Sequence, residues 1–227
     1  MKTVIKILLL VSIALLAYFC VMSVYTPIQF NSIKAEREKE IVQRLIDIRT
    51  AQNEYLTQKG RYTGSFDTLI TFLKTGKKKM VMKEGSLTEK QLEAGLNERK
   101  AAEIVRKGIM KDIVAAGLEG FRRDTAFMPI IESIYPGRYT AETIDQIAII
   151  PHSDNQKFEL KVNDAYTNSL GIKFPLFEVT AHYTTFLSDL NRQELINVID
   201  VQEKLFKFPG LKVGSVDEPN NNAGNWE

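Results

Sequence analysis

The sequence predicts an α+β protein hung on a leading helix, and three patterns carry that prediction. Residues 7–24, ILLLVSIALLAYFCVMSV, contain no charge, proline or glycine, and a run of about 18 apolar residues rising about 1.5 Å each is enough to cross a bilayer core. Behind it, Ile41, Leu45, Ile48, Gln52 and Tyr55 recur at steps of four and three, which draws one stripe along an amphipathic helix. From Ile147 onward the period changes to two, the alternation of half-buried strands.

Two readings of the first run compete. Lys2 and Lys6 ahead of an apolar stretch, with Val21-Met22-Ser23 at its end, describe a cleavable export signal. The apolar core is longer than the roughly 7–15 residues of such a signal, however, and it closes on bulky Tyr18, Phe19, Val21, Met22 and Tyr25. An uncleaved transmembrane anchor over residues 1–25 is therefore favoured. Cys20 follows Tyr18-Phe19, whereas a lipidated cysteine is preceded by small residues, so Cys20 reads as one more lipid-facing side chain. Lys2, Lys6 and the α-amino group face Lys34, Arg37 and Lys39 across the span. The short basic head is expected inside and everything after Tyr25 translocated, giving a single-pass inner-membrane protein with a periplasmic C-terminal domain.

Two of the 30 Lys+Arg lie in the head, so the rest balances the 28 Asp+Glu. That neutrality argues against nucleic acid as a partner, which would require a basic excess. The only cysteine lies inside the span, so the exported part must hold together by packing without a disulfide.

In chain order, Thr26-Pro27 predicts a bend where the chain leaves the lipid, with a new helix capped near Asn31 or Ser32. That stalk, residues 26–60, ends at Gly60. Its stripe has two accounts: packing on the chain's own body, or a coiled-coil seam to self or to another envelope protein, with Gln52 setting register. Residues 61–120 read as a helical segment. Phe66, Leu69, Ile70 and Leu73 share one face of a short helix, and Lys74, Lys77, Lys78, Lys79 and Lys83 form a basic loop, read as a solvated linker or a contact with anionic head groups. Ser86-Leu87-Thr88-Glu89 is expected to open a helix with Leu92 and Leu96 inward, followed by helices over 101–107 and 109–116. Residues 121–227 are read as an antiparallel sheet plus a helix and a polar tail. Strands are expected over 147–150, 157–162 and 175–184, with a hairpin turn at Ser153-Asp154-Asn155. The last helix should start at Asp189 or Asn191, bury Leu195, Ile196, Ile199 and Leu205, and stop at Phe208-Pro209-Gly210; Leu211-Lys212-Val213 follows as a short edge strand. Gly137-Arg138-Tyr139-Thr140 repeats the tetrapeptide at Gly60, which is read as reused turn chemistry. Phe121 to Ile131 has no firm assignment.

An apolar helix that turns amphipathic, then Ala51-Gln52, Tyr55, Gly60-Arg61-Tyr62 and a short helix bearing Leu69, resembles the opening of type IV pilins and type II secretion pseudopilins. The order of residues 60–70 is similar to that in a group of uncharacterised single-pass envelope proteins of Gram-negative bacteria. The tail, from Gly214-Ser215-Val216-Asp217-Glu218-Pro219 to Gly224-Asn225-Trp226, resembles the C-terminal loop of the major pseudopilin, which in that family holds calcium. The likeness implies a pilin-like fold in part, and a calcium site through Asp217, Glu218 and Asn220 to Asn222, whose oxygens suit a hard cation. The processing site and the glutamate of the pilin head have no counterpart around Lys6-Ile7.

No phosphate loop, nucleophile elbow or zinc-protease pattern is present, and His152 and His182 lack neighbours at metal spacing. The expectation is a non-enzymatic structural or assembly component of an envelope complex such as a secretion or pilus-like apparatus, with the lipid bilayer and envelope proteins as partners. A periplasmic ligand-binding or sensor module without catalysis is the alternative, and a remote hydrolase a third.

Overall fold

A computed structural model describes residues 2–227. The first element, α1 (Lys2–Lys59), is one helix of 58 residues, about 87 Å long at 1.5 Å per residue. It runs through Pro27, so the expected fresh start near Asn31 or Ser32 does not occur. Proline removes one backbone donor, a single bond in a helix this long, and such a loss is tolerated where neighbouring packing supports the chain. Here Thr26 and Pro27 are half-buried and Phe30 is buried. Residues 3–25 are exposed throughout, the condition of a helix whose covering is lipid. Further along, Ile41, Leu45, Ile48 and Gln52 are fully buried and Tyr55 nearly so. The stripe is thus covered by the chain's own residues, and these side chains are not free to form a seam with a second protein. The Gln52 amide donates to the Thr63 carbonyl (2.8 Å) and accepts from the Thr63 N–H (3.2 Å), completing in a buried place the bonds that water cannot supply.

Gly60, in the left-handed region at φ 74°, caps α1. The following turn brings Tyr62 onto Phe177, with ring centroids 4.7 Å apart. Helix α2 (Phe66–Thr75) buries Phe66, Leu69 and Leu73 as expected; Ile70 is only half-buried and Phe72 is buried in addition, meeting Tyr55 edge to face. The chain divides into two units, Met1–Phe72 with Ala141–Glu227, and Leu73–Thr140; the boundaries expected at 60/61 and 120/121 do not coincide with them.

In the second unit, β1 (Lys77–Glu84) pairs antiparallel with β2 (Arg122–Pro129), Lys77 opposite Pro129 and Glu84 opposite Arg122. The basic stretch is a strand and not a loop, and its partner is the stretch left unassigned. Lysines are poor strand formers by propensity, and strand formation here comes from a pairing distant in sequence. Between the strands lie α3 (Glu89–Glu93), α4 (Glu98–Lys107) and α5 (Met110–Ala115). The N-terminal box of α3 uses Thr88 and Gln91, with the Thr88 N–H and hydroxyl both donating to Gln91 Oε1. Ala101, Leu118 and Phe121 form a small core to which Leu96 and Ile113 add, whereas Leu92 is exposed, against expectation. Helix α6 (Ile130–Ile134) buries Ile130 and Ile131. Gly137, at φ 73°, lies in the left-handed region as Gly60 does.

Residues 144–148 form a 3-10 helix where a strand was expected; only Ile149 bridges, to Lys157. Ile144 and Ile147 are both buried, and side chains three apart eclipse in a 3-10 turn, so adjacent apolar residues there carry no period of two. The Ser153-Asp154-Asn155 turn is present: the Ser153 hydroxyl donates to the Ile150 carbonyl and accepts from the Gln156 N–H. Strands β3 (Glu159–Asn163) and β4 (Leu176–His182) then pair antiparallel. All of β4 except His182 is buried, the state of a central strand covered on both faces. Helices α7 (Tyr183–Phe186) and α8 (Arg192–Lys204) precede β5 (Gly210–Gly214), which pairs with the other side of β4. Asn191 caps α8 through bonds from the Gln193 and Glu194 N–H groups. Leu195 is buried as expected, but Ile196 and Leu205 are exposed. Beyond β5 the tail returns beside the sheet, with Val213 bridging Gly224 and Lys212 exchanging bonds with Asn225.

Gln52→Ala would strip two buried backbone groups of Thr63 of their partners. It is expected to destabilise the protein by about 2–4 kcal/mol, measured by urea unfolding followed through Trp226 fluorescence.

Candidate functional site

The feature with the densest built chemistry in the first unit is the junction between α1 and the rest of that unit. Arg37, Glu38, Glu40, Arg44 and Arg49 on the flanks of α1 each meet a partner distant in sequence. Arg37 grips Asp189 with two parallel bonds, Nη1–Oδ1 at 2.5 Å and Nη2–Oδ2 at 2.7 Å, and Nη1 also donates to the Phe186 carbonyl at 2.6 Å. Such a fork fixes orientation as well as distance. The Arg37 hydrogen bonds hold the Asp189 carboxyl below the usual aspartate range, and Asp189 in turn raises the guanidinium.

One face of the same helix carries Lys34 and Glu38, paired at 2.9 Å. The Tyr183 hydroxyl donates to Glu38 at 2.9 Å, and Lys34 lies over the Tyr183 ring, 5.2 Å from its centre. Burial, then the Glu38 charge, push the Tyr183 phenol well above its ordinary pKa, so it stays a donor. Glu40 meets His152 at 2.9 Å, and Arg44 donates to the Gln146 carbonyl. Arg49 reaches the Asn222 carbonyl (3.1 Å) and Glu227 (2.7 Å), while the Asn222 amide donates to Asn53 and to the Tyr62 hydroxyl. Each exposed pair contributes little alone. From Lys34 to Asn53 they span about 28 Å of helix, and with the buried stripe they fix α1 in rotation and in register.

The tail expected to hold calcium is fastened by its own bonds. Asp217 and Glu218 are exposed, and their N–H groups donate to the Ser215 hydroxyl. The Asn220 amide turns to the Ala223 carbonyl, and Asn222 to α1. Among the described residues no group of three acidic, histidine or cysteine side chains is arranged to hold a metal; the calcium expectation rests on two carboxylates and asparagine oxygens. His182 stacks on Phe208 at 4.5 Å. The sequence-predicted residues therefore separate: the stripe lies under α1, and the acidic pair lies on the tail that Arg49 ties down.

Two features escaped the sequence pattern. An open groove runs beside α1 at Ala35, Glu38 and Lys39, with Tyr183, Phe208 and Trp226 along its walls. At its rim α8 ends in a Schellman turn, Phe206 N–H to the Glu203 carbonyl and Lys207 N–H to the Gln202 carbonyl. Phe206 holds the left-handed position at φ 54° and is 99% exposed. No glycine marks that helix end, so no local signal announces it.

No protein-family model, curated protein or solved structure matches this chain. Fold and site together define an α+β protein with one N-terminal helix long and apolar enough to span a membrane.

Because the folded pKa of Asp189 is lowered, its contribution is present above the unfolded value and lost as pH falls through the folded one. Its side chain is 59% exposed, so screening limits the effect. Asp189→Asn is expected to lower stability by less than about 1 kcal/mol at pH 7. Urea unfolding curves of the variant and the parent should converge as pH falls below about 4.

Proposed function

We propose that this chain is a single-pass inner-membrane protein whose folded part stands on the periplasmic side and serves as a structural or assembly component of an envelope complex, laid out like a pilin. The observation that carries the reading is the continuity of α1: one helix is exposed over residues 3–25, apolar over residues 7–24, and fastened to a folded body from Arg37 onward. A load or displacement at the body would therefore pass into the membrane segment without a hinge. Lys2 and Lys6 support retention of the head inside. The pilin-like layout draws support from the second half of α1 lying against β5 of a three-stranded antiparallel sheet, and from a tail that closes back on the same helix. The paired charges along α1 serve fastening, in keeping with a role without catalysis.

The groove beside Tyr183 and Trp226 favours a second reading, a periplasmic ligand-binding or sensor module on the same anchor.

The test is made in a Gram-negative host with a photo-crosslinking residue at Ile28 or Lys39, both exposed, and an impermeant maleimide directed at Asp217→Cys. The assembly reading predicts discrete protein adducts, maleimide labelling from the periplasmic side and an intact leading segment in carbonate-washed membranes. Chain that begins after Ser23 and washes free, or labelling only after lysis, contradicts the anchored orientation. Lipid adducts alone, with retained anchoring, favour the ligand-binding reading.

A further inference from the structure

We propose that the C-terminal end of α8 is a second membrane contact, with Leu205 and Phe206, flanked by Lys204 and Lys207, resting in the head-group layer of the bilayer that α1 spans. The inference rests on the anchored reading above and adds a surface to it. Its starting point is the residue in the Schellman turn. The left-handed position after a helix favours glycine because a Cβ is strained there, and this chain places Gly60 after α1 and Gly108 after α4. After α8 the same position holds Phe206, at φ 54°. A buried phenyl would offset that strain by packing, but Phe206 is 99% exposed. Folding therefore gains nothing from the ring, and its use lies outside the chain.

The neighbours of Phe206 identify the occupant. Leu205 is 57% exposed and Val201, one turn earlier, 52%, so the helix end presents an apolar tip. Lys204, which is paired with Asp200, and Lys207 flank it, and Lys39 lines the same groove as Lys207. Lys39 and Lys207 form no ion pair among the described residues. An aromatic and aliphatic tip ringed by lysines suits the head-group layer, where rings bury at the acyl boundary and lysines reach anionic phosphates.

Position agrees. Phe206 and Lys207 line the groove with Ala35, Glu38 and Lys39, about ten residues past Tyr25, or about 15 Å along the helix. Folded packing comes closer to the lipid than that, because Phe30 is buried and Pro27 half-buried. The head-group layer adds about 5–8 Å beyond the hydrocarbon. Spanning helices tilt by about 20° on average and up to about 40°, which lowers one flank of the body onto that layer. Phe206 stands on such a flank.

The test uses the full chain in nanodiscs of phosphatidylethanolamine and phosphatidylglycerol, with Cys20→Ser as background and a spin label at Leu205→Cys. Collision with oxygen and with a nickel chelate reports depth, and a label at Leu10→Cys in a parallel sample reports the anchor. The proposal predicts that the Leu205 label prefers oxygen. Adding Phe206→Gly should return it to water while the melting temperature holds or rises, because glycine suits the turn. Replacing the lipid by phosphatidylcholine should make the Leu205 label shallower. A Leu205 label open to the chelate above an immersed Leu10 label overturns the second contact and leaves the anchor standing. A Leu10 label open to the chelate overturns both. A Leu205 label shielded from both reagents in proportion to protein concentration means that a second copy covers the tip, and the membrane contact is wrong.

Discussion

The first unit depends on the burial of one helical stripe. Ile41, Leu45 and Ile48 have no exposed surface, and each such side chain contributes about 1.5–3 kcal/mol relative to an exposed one. Gln52 extends the stripe with a polar group that would be costly if left unpaired, and Thr63 meets it at both ends of the amide. Because Thr63 lies beyond the Gly60 turn, this bond also fixes how the chain reverses after α1. Tyr62 then reaches Phe177 in the middle strand, and the three-stranded sheet is placed relative to the helix.

Around that stripe the charged residues of α1 set direction more than they add stability. Arg37, Glu38, Glu40, Arg44 and Arg49 take partners from three stretches of the chain, residues 146–152, 183–189 and 222–227. A helix held only by an apolar stripe could slide by a turn, since similar side chains repeat every three or four residues. Paired charges at fixed intervals remove that freedom. The tail takes part in the same arrangement, because Asn222 and Glu227 meet Arg49.

What the sequence disclosed follows the range of each signal. The stripe of α1, the face of α2, the Asn191 cap and the glycine ends of α1 and α4 are local patterns, and all are found. The pairing of β1 with β2 was not legible, since Lys77 meets Pro129 across more than forty residues and a lysine-rich stretch has the composition of a loop. Pro27 misled because its effect on a backbone bond is local, whereas its tolerance depends on packing around it. Residues 147–150 misled because Ile147 and Ala148 close a 3-10 helix whose buried isoleucines, Ile144 and Ile147, are three apart. Of the candidate site, the residues on α1 were visible and their partners were not; the Phe206 turn had no glycine to mark it.

The central claim is that the leading apolar segment and the clamped half of α1 form one unbroken helix. It is tested most directly by the distance between spin labels on native Cys20 and on Lys39→Cys, with the full chain in lipid nanodiscs. A continuous helix across Pro27 predicts one narrow distribution, with the backbone positions about 28 Å apart at 1.5 Å per residue. A broad or markedly shorter distribution would place a hinge between anchor and body and contradict the account.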